Sequence, residues 1–222
     1  MSKSERVGHE PPPFGAEVVA RCPWAREPPE YRIYHDREWG RPVADDDRIF
    51  EKLCLEGFQS GLSWLTILRK REGFRRAFSG FDAAKVAAFG DIEVARLLSD
   101  PSIIRHRGKI QAAIANARAT LALRDLGTSL ASLCWSFARE AGPPPKEMEE
   151  VPATTAESRA LSAALKRNGF QFVGPTTVYS AMQSLGILND HLVGCSFRAE
   201  VELERAQFRR RSTPSQAPDP AR

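Results

Sequence analysis

Capped helical periodicity, renewed from Asp45 to Leu185 with no alternating strand pattern between, most constrains what this 222-residue chain can fold into. Asp45, Asp46 and Asp47 offer an N-cap and a negative first turn to a helix carrying Ile49, Phe50, Leu53, Cys54 and Phe58 at helical spacing. Ser63 caps another, with Leu65, Leu68 and Phe78 inward. Asp82 starts a short helix through Val86 and Phe89, and Asp91 one through Val94, Leu97 and Leu98. Lys109 to Leu123 sets Ile110, Ile114, Ala117 and Leu121 on one face. Thr154 with Glu157 reads as a capping box for Ala156 to Arg167, and Gly169 as the residue that ends that helix. Pro175 fits the first turn of a last helix with Val178, Ala181, Met182 and Leu185 inward. The expected fold class is all-α.

Composition bounds the rest. With 42% apolar and 27% charged residues, the chain has enough material for one soluble globular domain. Residues 1–20, with Pro11, Pro12 and Pro13, read as a loose N-terminal tail. Residues 21–198 form the domain, and residues 199–222 are expected to be a charged, mostly disordered C-terminal tail with room for a helical turn at its start. Four irregularly spaced cysteines make no disulfide framework, and Met1 to Glu10 lacks an apolar signal-peptide core. The uncharged stretch from Asn168 to Asn189 is broken by Gln171, Pro175 and Gln183 and does not suit a membrane span. The expectation is a reduced, cytoplasmic protein.

The net charge of +4 lies in the middle of the chain, since residues 1–20 carry −1 and residues 199–222 carry +1. Arg69, Lys70, Arg71, Arg75 and Arg76 surround a single Glu72, while Arg105, Arg107 and Lys109 have no acid nearby. Such patches suit a polyanion touched at a few phosphates, and equally well an ordinary solvated face. Gly108, at the mouth of a helix beside Arg105, Arg107 and Lys109, would let backbone N–H groups approach a phosphate.

Cys22 and His35 form one candidate ligand pair, His191 and Cys195 another, and together they compose a tetrahedral zinc set. Spacing leaves open a surface thiol and a capping or core histidine. Between Leu55 and Trp64, Glu56 ends an apolar helix face, Gly57 and Gly61 break the chain, and Trp64 opens the next helix. A carboxylate and an indole at such a bend suit a flat polar ring, or else a surface Glu beside a core Trp. Tyr31 and Tyr34, near His35, could rim the same pocket. Cys54 and Cys134 sit among apolar neighbours and read as core.

Six segments carry a family resemblance: Cys22-Pro23-Trp24, Tyr34 to Gly40, Leu55 to Trp64, Ile104 to Ile110, Gly169 to Gly174, and Asn189 to Cys195. In this order, over residues 21 to about 197, the chain resembles the type I DNA-3-methyladenine glycosylases. The resemblance implies a helix-hairpin-helix fold and a monofunctional, monomeric enzyme. Its activity would be to flip 3-methyladenine from alkylated double-stranded DNA and hydrolyse the N-glycosidic bond. It implies one structural Zn2+ on Cys22, His35, His191 and Cys195, with Glu56 as the catalytic carboxylate. Tyr34, Trp64 and, less directly, Tyr31 would line the base pocket, and Arg105, Arg107, Gly108 and Lys109 would hold phosphate. Phe58 stands where some relatives have Gln, and Ala163 where many have Lys. The alternative is a catalytically silent, zinc-stabilised DNA-binding module, which would need neither Glu56 nor Trp64. No lysine stands in the nucleophile position that strand-cleaving relatives would use.

Overall fold

The computed structural model describes residues 19–139 and 142–212, and among them lie helices and turns but no strand. The all-α expectation holds. The expected N-terminal tail lies outside the described residues but for positions 19 and 20. The helices are α1 (Pro29–Arg37), α2 (Asp46–Gln59), α3 (Trp64–Ala77), α4 (Ala83–Ala87), α5 (Asp91–Ser99), α6 (Arg107–Asp125), α7 (Leu130–Trp135), α8 (Ala156–Arg167), α9 (Pro175–Ser184) and α10 (Arg198–Ser212). None is long and apolar enough to cross a membrane.

Central α2 buries nine consecutive-to-near residues, from Ile49 to Phe58, because it packs on α3, α6, α7 and α9 at once. Its apolar side chains join Phe74 and Phe78, Ile110 and Ala117, Val178 and Met182 in one core. Cys54 and Cys134 are buried in it, and burial pushes both thiols above their ordinary pKa. A second, smaller cluster gathers Cys22, Tyr34, Trp39, Leu192 and Cys195, where the two ends of the domain meet.

Several helix starts are those the sequence marks. Asp45, Ser63 and Asp82 accept the backbone N–H groups of Arg48, Thr66 and Lys85 at 2.9, 3.3 and 3.0 Å. Gly169, at φ +88°, closes α8: its N–H donates to Lys166 and the next, of Phe170, to Leu165. The box that opens α8 lies one residue later than expected. Thr155 and Ser158 exchange bonds of 3.2 and 2.9 Å, because Thr154 accepts from Arg159 and Glu157 pairs with Arg139 at 2.7 Å.

The C-terminal expectation fails over residues 198–212, which form four turns of helix packed on the domain. The inward face of α10 is Val201, Arg205 and Phe208, and its central member is charged. Arg205, 2% exposed, donates to the carbonyls of Gly186 and Ile187 at 2.8 Å each and to Glu202 at 2.6 Å. A guanidinium with all its faces employed is a stable buried group. Arg41 reaches Glu200 and Glu204 from the other side, and Phe208 packs tilted against Trp135 with centroids 4.3 Å apart. Residues 213–222 lie outside the described part.

The segment between α5 and α6 rests on α3 at one point of minimal clearance. A methyl group on Gly73 would stand 2.5 Å from the Ser102 carbonyl oxygen, too close for any rotamer to relieve. Gly73→Ala is therefore expected to cost about 1–3 kcal/mol by overpacking. Thermal unfolding, at ~2–4 °C per kcal/mol for a chain of this size, reads the loss directly.

Candidate functional site

Two thiols and two imidazoles from opposite ends of the domain converge in the smaller cluster. The ligand atoms of Cys22, His35, His191 and Cys195 all lie within 4.8 Å of one another and all four residues are buried. His191 Nδ1 is 3.1 Å from His35 Nε2, 3.3 Å from Cys195 Sγ and 3.9 Å from Cys22 Sγ, and Cys195 Sγ is 3.5 Å from His35 Nε2. Zinc–ligand bonds of 2.0–2.3 Å give tetrahedral edges of roughly 3.3–3.8 Å, so the set fits that ion. The outer ring nitrogens have partners of their own. His35 Nδ1 donates to Asp36 at 2.8 Å, which Arg21 holds in turn, and His191 Nε2 donates to the Trp39 carbonyl at 3.3 Å. These bonds leave His35 Nε2 and His191 Nδ1 as the lone-pair atoms, aimed at the shared centre.

Beside the cluster lies a cavity of about 400 Å³. Trp24, Tyr31 and Tyr34 line one side, Glu56 and Gln59 of α2 and Trp64 of α3 another, and the Thr176, Tyr179 and Gln183 face of α9 with Asp190 a third. Its aromatic wall is built by mutual contact. Trp24 meets Tyr31 edge-on at 5.9 Å and Trp39 at 5.0 Å, and Tyr34 lies 5.4 Å from Trp64. Tyr31 is fixed by accepting the Leu65 N–H at 3.0 Å, which ties α1 to the first turn of α3. The Trp64 indole N–H is buried with no hydrogen-bond partner among the described residues, a polar cost that ordinary core packing avoids.

Glu56 is 5% exposed and no described protein group hydrogen-bonds its carboxyl. Burial pushes it up to about 8, against the opposing pull of Lys52 one turn earlier. Lys52, drawn down to about 8 by burial, stands 5.8 Å over the Tyr34 ring. Burial, then the nearness of Glu56, keeps the Tyr34 hydroxyl protonated. The structure thus brings Glu56, Tyr34, Trp64 and Tyr31 together around one space. Sequence reasoning missed Lys52, although its spacing of four from Glu56 on one helix face was a usable signal. It also passed over Trp24, Gln59, Tyr179, Gln183 and Asp190, whose meeting depends on tertiary packing.

The basic residues divide. Arg105 and Arg107 are exposed ahead of and at the start of α6, whose N-cap is His106, and α5 packs against α6. Lys109 differs from expectation: it is 8% exposed and its ammonium donates to the Phe58 and Ser60 carbonyls at 3.0 and 2.6 Å. That charge is used on the C-terminal end of α2 and is not free for a phosphate. Most of the run on α3 is likewise employed, Arg76 being exposed. Arg69 pairs with Glu30, Arg71 with Glu38, Arg75 with Glu51 and Glu72, and Lys70 donates to the Pro101 carbonyl.

A cavity of this size, aromatic on several sides and carrying a buried carboxyl, accommodates one flat polar ring. The family model described as methyladenine glycosylase matches residues 24–199, from the aromatic wall to the first residues of α10. DNA-3-methyladenine glycosylase 1 of Escherichia coli K12 is 50% identical over 179 residues, covering 80% of this chain and 96% of that protein. DNA-3-methyladenine glycosylase of Haemophilus influenzae is 44% identical over 181 residues, with 80% and 97% covered. Among solved structures, 3-methyladenine DNA glycosylase I of Staphylococcus aureus, described for its recognition of 3-methyladenine, superposes with a TM-score of 0.77. It is 32% identical, with 82% of this chain and 98% of that one covered. This chain belongs to the methyladenine glycosylase family.

Glu56 gives the fold a pH signature. An unfolded glutamate loses its proton near ~4.3, whereas buried Glu56 keeps it to about 8. Its contribution to stability is therefore full below ~4.3 and is lost as pH rises through about 8. Lys52 acts oppositely, and above about 8. Glu56→Gln, which cannot ionise, should gain in melting temperature relative to the wild type as pH is raised from 5 to 8. Parallel curves for the two proteins would remove the buried-carboxyl assignment.

Proposed function

We propose that this chain is a monofunctional DNA N-glycosylase that takes 3-methyladenine out of alkylated duplex DNA and hydrolyses its glycosidic bond, the first step of base excision repair. The observation that carries the reading is Glu56, a buried carboxyl without a hydrogen-bond partner in a cavity walled by Trp24, Tyr34 and Trp64. The names of the relatives point to the same substrate.

A nucleotide turned out of the helix would enter with its base between the indoles, its exocyclic amine donating to Glu56. A base methylated at N3 carries positive charge. When the bond from C1′ to N9 breaks, the electron pair goes to the base, which leaves neutral. Water adds to C1′ and gives up a proton to solvent. No strong acid at the base is required, so the site's work is selection. Flipping costs a few kcal/mol and least for a damaged base. The aromatic walls favour a cationic ring over a neutral one, and Glu56 gains an opposite charge beside it.

In this reading α5, the intervening segment and α6 act as a helix-hairpin-helix grip on the DNA backbone. Arg105, Arg107 and the N–H groups around Gly108 meet phosphate, and Lys109 positions them from behind. Cys22, His35, His191 and Cys195 hold one Zn2+, which supplies a cross-link between the ends of the domain and no reaction chemistry. Free, reduced cysteines suit a cytoplasmic enzyme, working as a monomer.

Single-turnover base release from methylated DNA tests the assignment of the cavity. Glu56→Gln and Trp64→Ala should each slow release of 3-methyladenine by roughly tenfold to a hundredfold, as the loss of ~1–3 kcal/mol of hydrogen bonding or stacking requires. Binding to undamaged duplex should hold. Wild-type rates in both folded variants would remove the cavity from the mechanism. Arg107→Ala should weaken damaged and undamaged DNA alike and lower the salt slope of binding by up to ~1. Protein purified without chelator should hold about one zinc per chain, and Cys195→Ala should lose both the metal and thermal stability. Zinc-free wild-type protein of full stability would refute the clip.

A further inference from the structure

The cavity holds a second carboxylate whose surroundings are the reverse of those of Glu56. Asp190, in the loop after α9, is partly exposed and lines the same space. Its Oδ2 accepts the Tyr179 hydroxyl at 2.5 Å and the Gln183 side-chain amide at 2.8 Å, both from the α9 face of the cavity. Its Oδ1 has no hydrogen bond from the described residues. Two donors converging on one oxygen fix the carboxyl group at the cavity wall.

What distinguishes Asp190 from the acids around it is the lack of a neutralising partner. Glu51 is bridged to Arg48 and Arg75, Asp36 to Arg21, and Glu38 to Arg71. No described Lys or Arg forms an ion pair with the carboxylate of Asp190 within 4 Å. Arg198 and Arg205 lie behind it, lining a separate cavity of about 690 Å³ that shares Asp190 and Tyr179 as its partition. Both are committed to backbone carbonyls, Arg198 to Asn189 and His191, Arg205 to Gly186 and Ile187. Their charges act on Asp190 through space, from the side of this second cavity.

Two carboxyl groups in one pocket, one buried and unsupported, the other held by donors, divide the labour of acid and anion. We infer that Asp190 is a specificity-determining residue, the standing negative charge by which the cavity prefers a cationic alkylated purine to a neutral ring of the same shape, while Glu56 supplies the hydrogen bond to the base edge. The inference rests on the glycosylase reading. It adds a fixed charge to the preference for a cationic ring that the aromatic walls and Glu56 already give.

The test separates charge from shape. Asp190→Asn keeps the size of the side chain and an acceptor oxygen for Tyr179, but not the charge. Two quantities are measured for it and the wild type: single-turnover release of 3-methyladenine from methylated duplex, and affinity for a duplex bearing 3-deaza-3-methyladenine, a neutral ring of matching outline. Metal content and melting temperature are recorded beside them, since His191 is the next residue. The expected result is a tenfold to hundredfold slower release with less than threefold change in affinity for the neutral analogue. Equal losses on both substrates, or no loss on either, overturn the inference. If Asp190→Asn loses metal or fold, Tyr179→Phe and Gln183→Leu replace it. Each removes one donor from the carboxylate and should slow release three- to tenfold with the neutral analogue bound as before; any other pattern is again fatal. A wild type that releases no 3-methyladenine at all would instead bring down the glycosylase reading itself.

Discussion

Everything at the base cavity depends on a meeting of chain ends. Cys22 and His35 come from the first described turns, His191 and Cys195 from the loop after α9, and their ligand atoms share a space less than 5 Å across. Trp24 and Tyr34 each sit within two residues of one of those ligands, and Asp190 adjoins another. Fixing the cluster therefore fixes two sides of the cavity in the same act. The outer bonds of the histidines, to Asp36 and to the Trp39 carbonyl, extend that order one layer further. The remaining side, Glu56 and Trp64, comes from the main core, and Trp64 packs on Tyr34 of the cluster as well.

The two carboxyl groups of the cavity show how environment sets role where residue type does not. Glu56 is surrounded by aromatic rings and left without donors, so it favours its proton. Asp190 is only partly buried and receives two donors on one oxygen. The arrangement suits a substrate that arrives charged and departs neutral: attraction is present before the bond breaks and is released with the product.

Helix starts were legible because capping is local. Asp45, Ser63, Asp82, Gly169 and Pro175 act within four residues of themselves, so the sequence contains the whole interaction. Glu56, Trp64 and the Cys/His pairs were legible as a conjunction of motifs. What escaped reading had partners distant in sequence. Lys109 looked like a free cation because the carbonyls it serves, of Phe58 and Ser60, lie some fifty residues earlier. The charges of α3 looked unpaired for the same reason, their acids being Glu30, Glu38 and Glu51. The helix at 198–212 was unreadable by hydrophobic pattern, since the residue at the centre of its buried face is Arg205. Asp190 stood within a recognised motif, yet its two donors arrive from a helix packed against it.

The ammonium of Lys109 has a mechanical meaning. It belongs to the second residue after the exposed Arg107, and it grips the carbonyls that end α2 just before the loop leading to Trp64. Gly73, pressed against Ser102, fastens the same segment to α3. The start of α6 and the cavity are thus tied together through the end of α2 and through α3, which on the proposed reading sets the span between phosphate and base. On that reading a site so tied does not reach for its lesion. The duplex must bend and unstack until a nucleotide covers that distance, so the search is governed by how readily each base pair gives way under a constant geometric demand.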